Sequence, residues 1–208
     1  MRKTREERRA EIAAAALKIV GECGVQGTTM ARIADAVGIS GPALYKHFTG
    51  RTEILEAAMD MLLVRVVSWL DSSRNPNALE RLRELGTRHA LTIAADYEGV
   101  VAPLFEFAAA GPRSQLTGQL AQRQRAALQR FVAIIEEGQA QGSIRRDIDV
   151  QVMAWSLMGL TWIENLATLE GMEEFVADGV SKRMLDRILA EIAAPDEGPA
   201  RVAMTIAT

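Results

Sequence analysis

The sequence predicts an all-α protein, and three observations carry that expectation. Apolar residues recur at spacings of three and four along most of the chain. Helix stop signals punctuate it at "GECG", Gly38, "SSRNPN", "GP" at 111–112, "GSIRRDID", Gly171 and Pro195. Too few stretches alternate apolar with polar residues to build a sheet, and no internal repeat is visible. With 208 residues, 49% of them hydrophobic, the chain is long enough to bury a substantial core.

Taken in order, the elements number about nine helices. Ile12, Ala16, Ile19 and Cys23 mark one face of a first helix, ended by the glycines that follow. Thr28 or Thr29 caps a short second helix whose Met30, Ile33, Ala34 and Val37 share a face, and Gly38 stops it. Ser40 or Gly41 caps a third, with Pro42 in its first turn, where a missing N–H costs nothing. Two short helices around a tight glycine turn make a helix-turn-helix pattern. A fourth helix runs from about Arg51 to Asp71 along Ile54, Leu55, Ala58, Leu62, Val66 and Trp69. Further helices are expected over 78–97, over 103–110 beginning near Pro103, and over 114–141. Asp147 or Asp149 caps the next, over 150–170, and the last spans 173–193. The tail "PDEGPARVAMTIAT" has no helical period and reads as mobile.

Charge is uneven. Residues 1–51 hold nine Lys/Arg against five Asp/Glu, a net +4, while the remainder carries −7. A basic N-terminal quarter on an acidic protein points to a polyanionic partner. No apolar run is long enough to span a membrane, and the start "MRKTREERRAE" lacks the apolar stretch of a secretory signal, so the expected location is the cytoplasm. A lone cysteine, Cys23, fits a reducing compartment and supplies neither a disulfide nor a metal site; no cofactor is expected.

The stretch "GISGPALYKHFTGR" carries the chemistry. At about 100° per residue, Leu44 and Phe48 face inward, Ala43, Lys46 and His47 share an outward face, and Tyr45 lies on the other flank. A helix in the major groove has a phosphate strand on either side, so long polar side chains on both flanks bond to backbone oxygens while small central residues approach the bases. The Tyr-Lys-His triplet by itself fits equally an ordinary capped surface helix.

Together, the residues of "TTMARIADAVGISGPALYKHFTGR" resemble the DNA-binding helix-turn-helix of the tetracycline-repressor (TetR) family of bacterial transcriptional regulators. The matching features are the threonine before the second helix, the "IA" pair at 33–34, Val37-Gly38-Ile39, Leu44-Tyr45, His47-Phe48 and a basic residue opening the fourth helix. The resemblance covers roughly residues 8–60. It implies phosphate contacts from Thr29, Tyr45, His47 and Arg51, a phosphate or base-edge contact from Lys46, and a thymine-methyl contact from Ala43. Arg32 would meet backbone or base, and Ser40, Gly41 and Pro42 stand at the tip presented to the groove. The arm from Arg2 to Arg9 would add nonspecific affinity or reach a minor groove. Gly41 leaves a frequent base-reading position bare, which shifts weight to DNA shape; Arg51 replaces a more usual lysine.

The resemblance further implies a DNA-binding domain over 1–50, a helical effector-binding and dimerisation domain over 51–194, and a tail over 195–208. Family members are homodimers that pair through their last two helices and enclose a ligand pocket among the middle ones. Here Val176, Val180, Met184, Leu185, Ile188, Leu189 and Ile192 stripe the last helix, and "VMAWSLMGLTWIENLATL" is apolar around most of its circumference. Candidates for a hydrophobic small-molecule pocket are His89, Tyr97, Phe105, Phe107, Phe131, Trp155, Met158, Trp162 and Asn165, with Glu106, Glu164, Asn165 or His89 as orienting polar groups. An effector there would shift the helix beginning at Arg51 and change the separation of two reading heads on double-stranded DNA, releasing a palindromic operator. Two other readings compete: a helical protein-binding adaptor, which leaves the N-terminal motif unexplained, and a small helical enzyme. For catalysis only His47, His89 and Cys23 stand out, Cys23 on the apolar stripe of the first helix, and no Gly-x-Ser-x-Gly, Walker, HExxH or CxxC pattern occurs.

Overall fold

A computed structural model describes residues 3–95, 97–110 and 115–195; the side chains of 66, 67, 94, 95, 97, 98, 115 and 117 are not among those described. The expected tail therefore lies outside the described residues, apart from Pro195. Among them the chain forms ten α-helices and one short 3-10 turn, with no strand beyond an isolated bridge between Ile144 and Ala193.

The N-terminal head is built from α1 (Arg5–Gly27), α2 (Met30–Val37) and α3 (Gly41–Leu44). Thr4 opens α1 with a reciprocal capping box to Glu7, which satisfies two backbone donors at the helix start. The helix breaks at Gly24, whose φ of 71° and ψ of 171° set the last turn, Val25–Gly27, apart from the rest. Cys23 stands just before that break and is exposed, so the expected apolar stripe ends at Val20. Thr29 caps α2 through the Arg32 N–H, whereas Thr28 is fully buried with its hydroxyl on the Gly24 carbonyl at 2.8 Å. Gly38, left-handed, closes α2, and Ser40 precedes the single turn of α3.

The larger part comprises α4 (Arg51–Ser68) with a 3-10 turn at Trp69–Asp71, α5 (Ala78–Ala95), α6 (Tyr97–Ala109), α7 (Gln115–Gln141), α8 (Val150–Leu169), α9 (Glu174–Ala177) and α10 (Val180–Ile192). Two differences from expectation have clear causes. Helix α6 starts six residues before Pro103, which sits inside it. Proline cannot donate to the carbonyl four residues back, and Arg65 donates to that carbonyl, Gly99 O, at 3.3 Å instead. The last expected helix is two: Gly179, at φ 73°, separates α9 from α10, a conformation that L side chains rarely adopt. Asp149, not Asp147, caps α8, accepting from the N–H groups of Gln151 and Val152; Asp147 pairs with Arg145.

Apolar side chains form two clusters. The first joins Ile12, Ala16 and Val20 of α1, Ile33 of α2, Leu44 and Phe48 to Ile54, Leu55, Ala58 and Met59 of α4, Leu104 and Phe107 of α6, and Leu116 and Leu120 of α7. The head's core is therefore continuous with that of α4 and α6. The second gathers α5, α7, α8 and α10 around Leu82, Leu85, Ile135, Leu157, Leu185 and Leu189. Each fully buried large side chain contributes about 1.5–3 kcal/mol relative to exposure.

Candidate nucleic-acid interface and effector cavity

The turn between α2 and α3 sets the face of the head. With Leu44 and Phe48 inward, Tyr45 is 61% exposed and Lys46 is exposed beside it. Thr29, Arg32, Ser40 and Pro42 are also exposed, and Gly41 and Ala43 half-buried. A side-chain carbon placed on Gly41 would meet nothing within 4 Å, so this bare spot opens onto solvent. His47 is half-buried, with Nδ1 enclosed and without a partner among the described residues.

Several cations expected to face DNA are engaged within the protein. The Arg9 guanidinium lies 3.9 Å from the Phe48 ring centroid, donates to the His47 carbonyl and pairs with Glu53 at 2.9 Å. Lys3 and Arg8 both bond to Glu11, whose carboxyl is held below its ordinary value by Lys3 and Arg8. Arg2 lies outside the described residues. Arg51 was expected on phosphate; its guanidinium instead donates to the Thr28 carbonyl at 2.6 Å and to the Val25 carbonyl. The fork geometry of arginine makes this double bond to backbone possible. Thus Arg9 and Arg51, read from sequence as charges for DNA, brace the head from inside; Lys46 is exposed, and Arg32, also exposed, donates to the Gly27 carbonyl at 3.4 Å.

Glu53 completes the junction. It accepts from the Thr49 N–H at 2.6 Å and the Thr49 hydroxyl at 2.8 Å, reaching back over the start of α4. Those bonds, with Arg9, lower its pKa to about 2.

In the larger part, a groove of about 740 Å³ opens between α6, α7 and α8. Leu104, Phe105, Ala108, Leu120, Leu128, Trp155, Met158, Trp162 and Ile163 make it apolar, and Gln124, Arg125 and Asn165 supply its polar groups. Trp155 and Trp162 meet edge to face at 5.3 Å. Arg125 has no ion-pair partner among the described residues. Asn165 is 7% exposed and its amide has no hydrogen-bond partner among them. That side chain lines the groove, where its amide is open to a polar group of a ligand.

Behind the groove, a chamber of about 30 Å³ shares Leu104, Gln124, Met158, Trp162 and Asn165 with it and adds Trp69, His89, Phe131 and Thr161. The structure therefore brings together seven of the nine sequence candidates: His89, Phe105, Phe131, Trp155, Met158, Trp162 and Asn165. Phe107 does not join them. Two residues beyond Phe105, it points about 200° away around the helix and is fully buried in the first core cluster. The Tyr97 side chain lies outside the described residues.

The two carboxylates expected to orient a ligand do other work. Glu106 turns to the head and accepts from the Val25 N–H at 3.4 Å. Glu164 is buried between His89, whose Nδ1 lies 2.6 Å from Oε2, and the Ser181 hydroxyl, which donates to Oε1. This network joins α5, α8 and α10. On its far side lies a second groove, of about 780 Å³, between α5, α9 and α10, lined by Ala90, Leu91, Ile93, Leu169, Val176 and Leu185 among others. Gln124, Arg125 and Leu104 were missed as groove residues and Trp69 as a chamber residue; Gln124 stands seven residues before Phe131 on α7, a shared helical face that could have found it, whereas Leu104 and Trp69 lie on other elements.

Along α8, Val152, Ile163 and Leu166 are 56%, 56% and 43% exposed, and Val180 and Met184 of α10 are 39% and 44% exposed. Leu185, Leu189 and Ile192 on the opposite face of α10 are buried. The stripe expected on the last helix thus divides into an inward row and an outward one. Among the described residues, no helix is long and apolar enough to cross a membrane.

Comparison with known proteins places these features in a family. Residues 12–58 match the profile "Bacterial regulatory proteins, tetR family", and residues 75–164 match "Tetracyclin repressor-like, C-terminal domain". The HTH-type transcriptional repressor KstR2 of Mycobacterium tuberculosis is 30% identical over 162 residues, covering 75% of this chain and 78% of that one. Among solved structures, a TetR transcriptional regulator from Chloroflexus aurantiacus superposes with a TM-score of 0.81 at 16% identity, over 92% of this chain and 98% of that one. The regulator FadR of Bacillus subtilis, in complex with stearoyl-CoA, gives 0.74 at 17% identity, over 88% and 98%.

Proposed function

The chain belongs to the tetR family of bacterial regulatory proteins and is a DNA-binding transcriptional regulator rather than an enzyme; from that premise we propose that it is a repressor that binds a palindromic operator as a homodimer and is released by a largely apolar small molecule. The observation that carries the DNA-binding part is the exposed Tyr45-Lys46 pair in the turn that follows the one-turn helix α3, between the buried Leu44 and Phe48. Tyr45, Lys46, Thr29 and Arg32 are the proposed backbone and groove contacts, with Ala43 against bases. The open space at Gly41 supports readout by DNA shape.

The exposed apolar rows of α8 and α10 support pairing with a second copy. A monomer would leave Val152, Val180 and Met184 in water, apolar exposure of the kind that marks interaction surfaces. On B-DNA, a twofold dimer reads half-sites about 34–36 Å apart or a multiple of that.

The effector would occupy the groove between α6, α7 and α8. Its walls call for an apolar body, Asn165 for an oxygen or N–H on the ligand, and Arg125, which has no ion-pair partner among the described residues, for an anionic or strongly polar end. A ligand shifts the equilibrium between DNA-bound and released states only by its difference in affinity for them.

Selection of bound sequences from random duplex DNA, repeated with Tyr45→Ala and Lys46→Ala, tests this function. A near-palindromic site recovered by the wild type and lost by both variants is the expected result. Lys46→Ala, which removes one contact from each half of the dimer, should also lower the salt slope of binding by about two. Folded protein that enriches no site at low salt would refute the reading.

A further inference from the structure

The link Gly24–Thr28 joins α1 to Thr29, the cap of α2, and so carries the reading helices. It is gripped from two sides. Arg51, at the start of α4, donates to the Thr28 and Val25 carbonyls. On the other side, Glu106 of α6 accepts from the Val25 N–H at 3.4 Å. Its carboxylate oxygen lies 2.6 Å from where a side-chain carbon on Gly24 would stand, so the carboxylate occupies space that only glycine leaves open. Gly24 is also at φ 71°, which any other residue adopts with strain. Thr28 closes the link internally through its hydroxyl on the Gly24 carbonyl.

Next to Glu106 on the same helix is Phe105, which lines the effector groove with Leu104 and Ala108. Adjacent residues of α6 thus face two different things: one the groove, the other the link that enters the reading head. We infer that Glu106, although it stands in the effector-binding part of the chain, is a positioning residue for operator binding. It holds the Gly24–Thr28 link in the arrangement that presents α2 and α3, and is the contact through which a displacement of α6 by a groove ligand reaches the head. The inference rests on the operator-binding function proposed above. The Arg51 grip belongs to the helix that runs directly out of the head; the Glu106 grip joins segments 81 residues apart in sequence, so it can be broken while the chain connection stays intact.

The test uses full-length protein and the operator duplex that the wild type selects. Dissociation constants are measured per active dimer, by stoichiometric titration, for wild type, Glu106→Ala, Glu106→Gln and Gly24→Ala. Normalising to active protein removes a change in folded fraction, which is all that a merely structural role would alter. Glu106→Ala should weaken binding about tenfold. Glu106→Gln, which keeps an acceptor oxygen, should retain most of the affinity. The salt slope should be unchanged, because no phosphate contact is lost. Gly24→Ala should weaken binding similarly, and the Gly24→Ala/Glu106→Ala pair should be no worse than either alone, as expected for two residues acting through one contact. Amide exchange at Val25 should speed up in Glu106→Ala. If Glu106→Ala fails to fold, the same-shaped Glu106→Gln together with Gly24→Ala carries the comparison. A wild type that selects a site and a folded Glu106→Ala that binds it within twofold as well overturns the inference alone; a wild type that selects no site overturns the functional reading and the inference with it.

Discussion

The head and the α8–α10 region solve opposite surface problems. In the head, Ile12, Ile33, Leu44 and Phe48 are buried to within 2% of completely, and the outward face carries Tyr45, Lys46 and short polar residues. In α8 and α10, Val152, Trp155, Ile163, Leu166 and Met184 remain more than 40% exposed although their helices already have an inward apolar row. A head finished on its inside leaves a polar surface for a hydrated, charged partner. A region with apolar residues on two sides leaves apolar surface for apolar partners, which in the proposed function are a second copy along its outer rows and a ligand in its groove. The charge split, +4 in residues 1–51 and −7 beyond, follows the same division.

The largest expected effect breaks the head. Phe48 packs in the first cluster under Arg9, so Phe48→Ala should cost about 3–5 kcal/mol in urea unfolding, at every protein concentration. A loss below about 1 kcal/mol would show that the head's core is not closed in this way. Next, Met184→Glu on the outward row of α10 should leave the protomer folded but shift it to monomer in sedimentation, with operator affinity falling on the order of a hundredfold because one of two half-site contacts is lost. If dimers persist unchanged, the exposed row of α10 is not the pairing face. The milder Met184→Ala sharpens the contrast: any lowering of its melting temperature should depend on protein concentration, whereas that of Phe48→Ala should not.

Legibility follows the same division. The head's caps, turn glycine and inward positions could be read because each is a local rule satisfied within a few residues: Thr29 three before its Arg32 N–H, Gly38 at the helix end, Leu44 and Phe48 one turn apart. What sequence missed was long-range use of side chains. Arg9 and Arg51 looked like charges for DNA, yet their partners, His47 O and Glu53 for one and Thr28 O and Val25 O for the other, are brought near only by folding. Glu106 and Glu164 looked like ligand groups for the same reason. Phase within one helix separates Phe105 from Phe107, but which of the two faces the groove depends on how α6 sits against α1 and α8. The start of α6 was misplaced because Pro103 usually marks a boundary, and nothing local shows that Arg65 takes over the carbonyl it abandons.

A smaller effect tests the groove against the core. Asn165 lines the groove, and its amide has no hydrogen-bond partner among the described residues, so Asn165→Leu should leave the stability of ligand-free protein within about 1 kcal/mol of wild type while weakening its response to effector. An unchanged response would mean that Asn165 does not serve a ligand.

The smallest effect concerns pH and lies wholly in the head. Glu53 is a half-buried carboxylate, and bonds from the Thr49 N–H and hydroxyl and from Arg9 lower its pKa from the ordinary 4.5 to about 2. A carboxyl lowered in the folded state contributes stability that is fully present above its unfolded pKa and is lost as pH falls through the folded one. The window therefore runs from about 4.5 down to about 2. Glu53→Gln gives up this contribution at neutral pH, so the melting-temperature gap between wild type and Glu53→Gln should be constant from pH 7 to about 5 and should close progressively below it. Because Glu53 also fixes Arg9 over Phe48, the same variant should let Arg9 swing toward solvent and slightly steepen the salt dependence of DNA binding. A gap that stays constant down to pH 2.5 would show that the charge on Glu53 is not what braces the start of α4, and would leave the packing of Phe48 to hold the head against acid unaided.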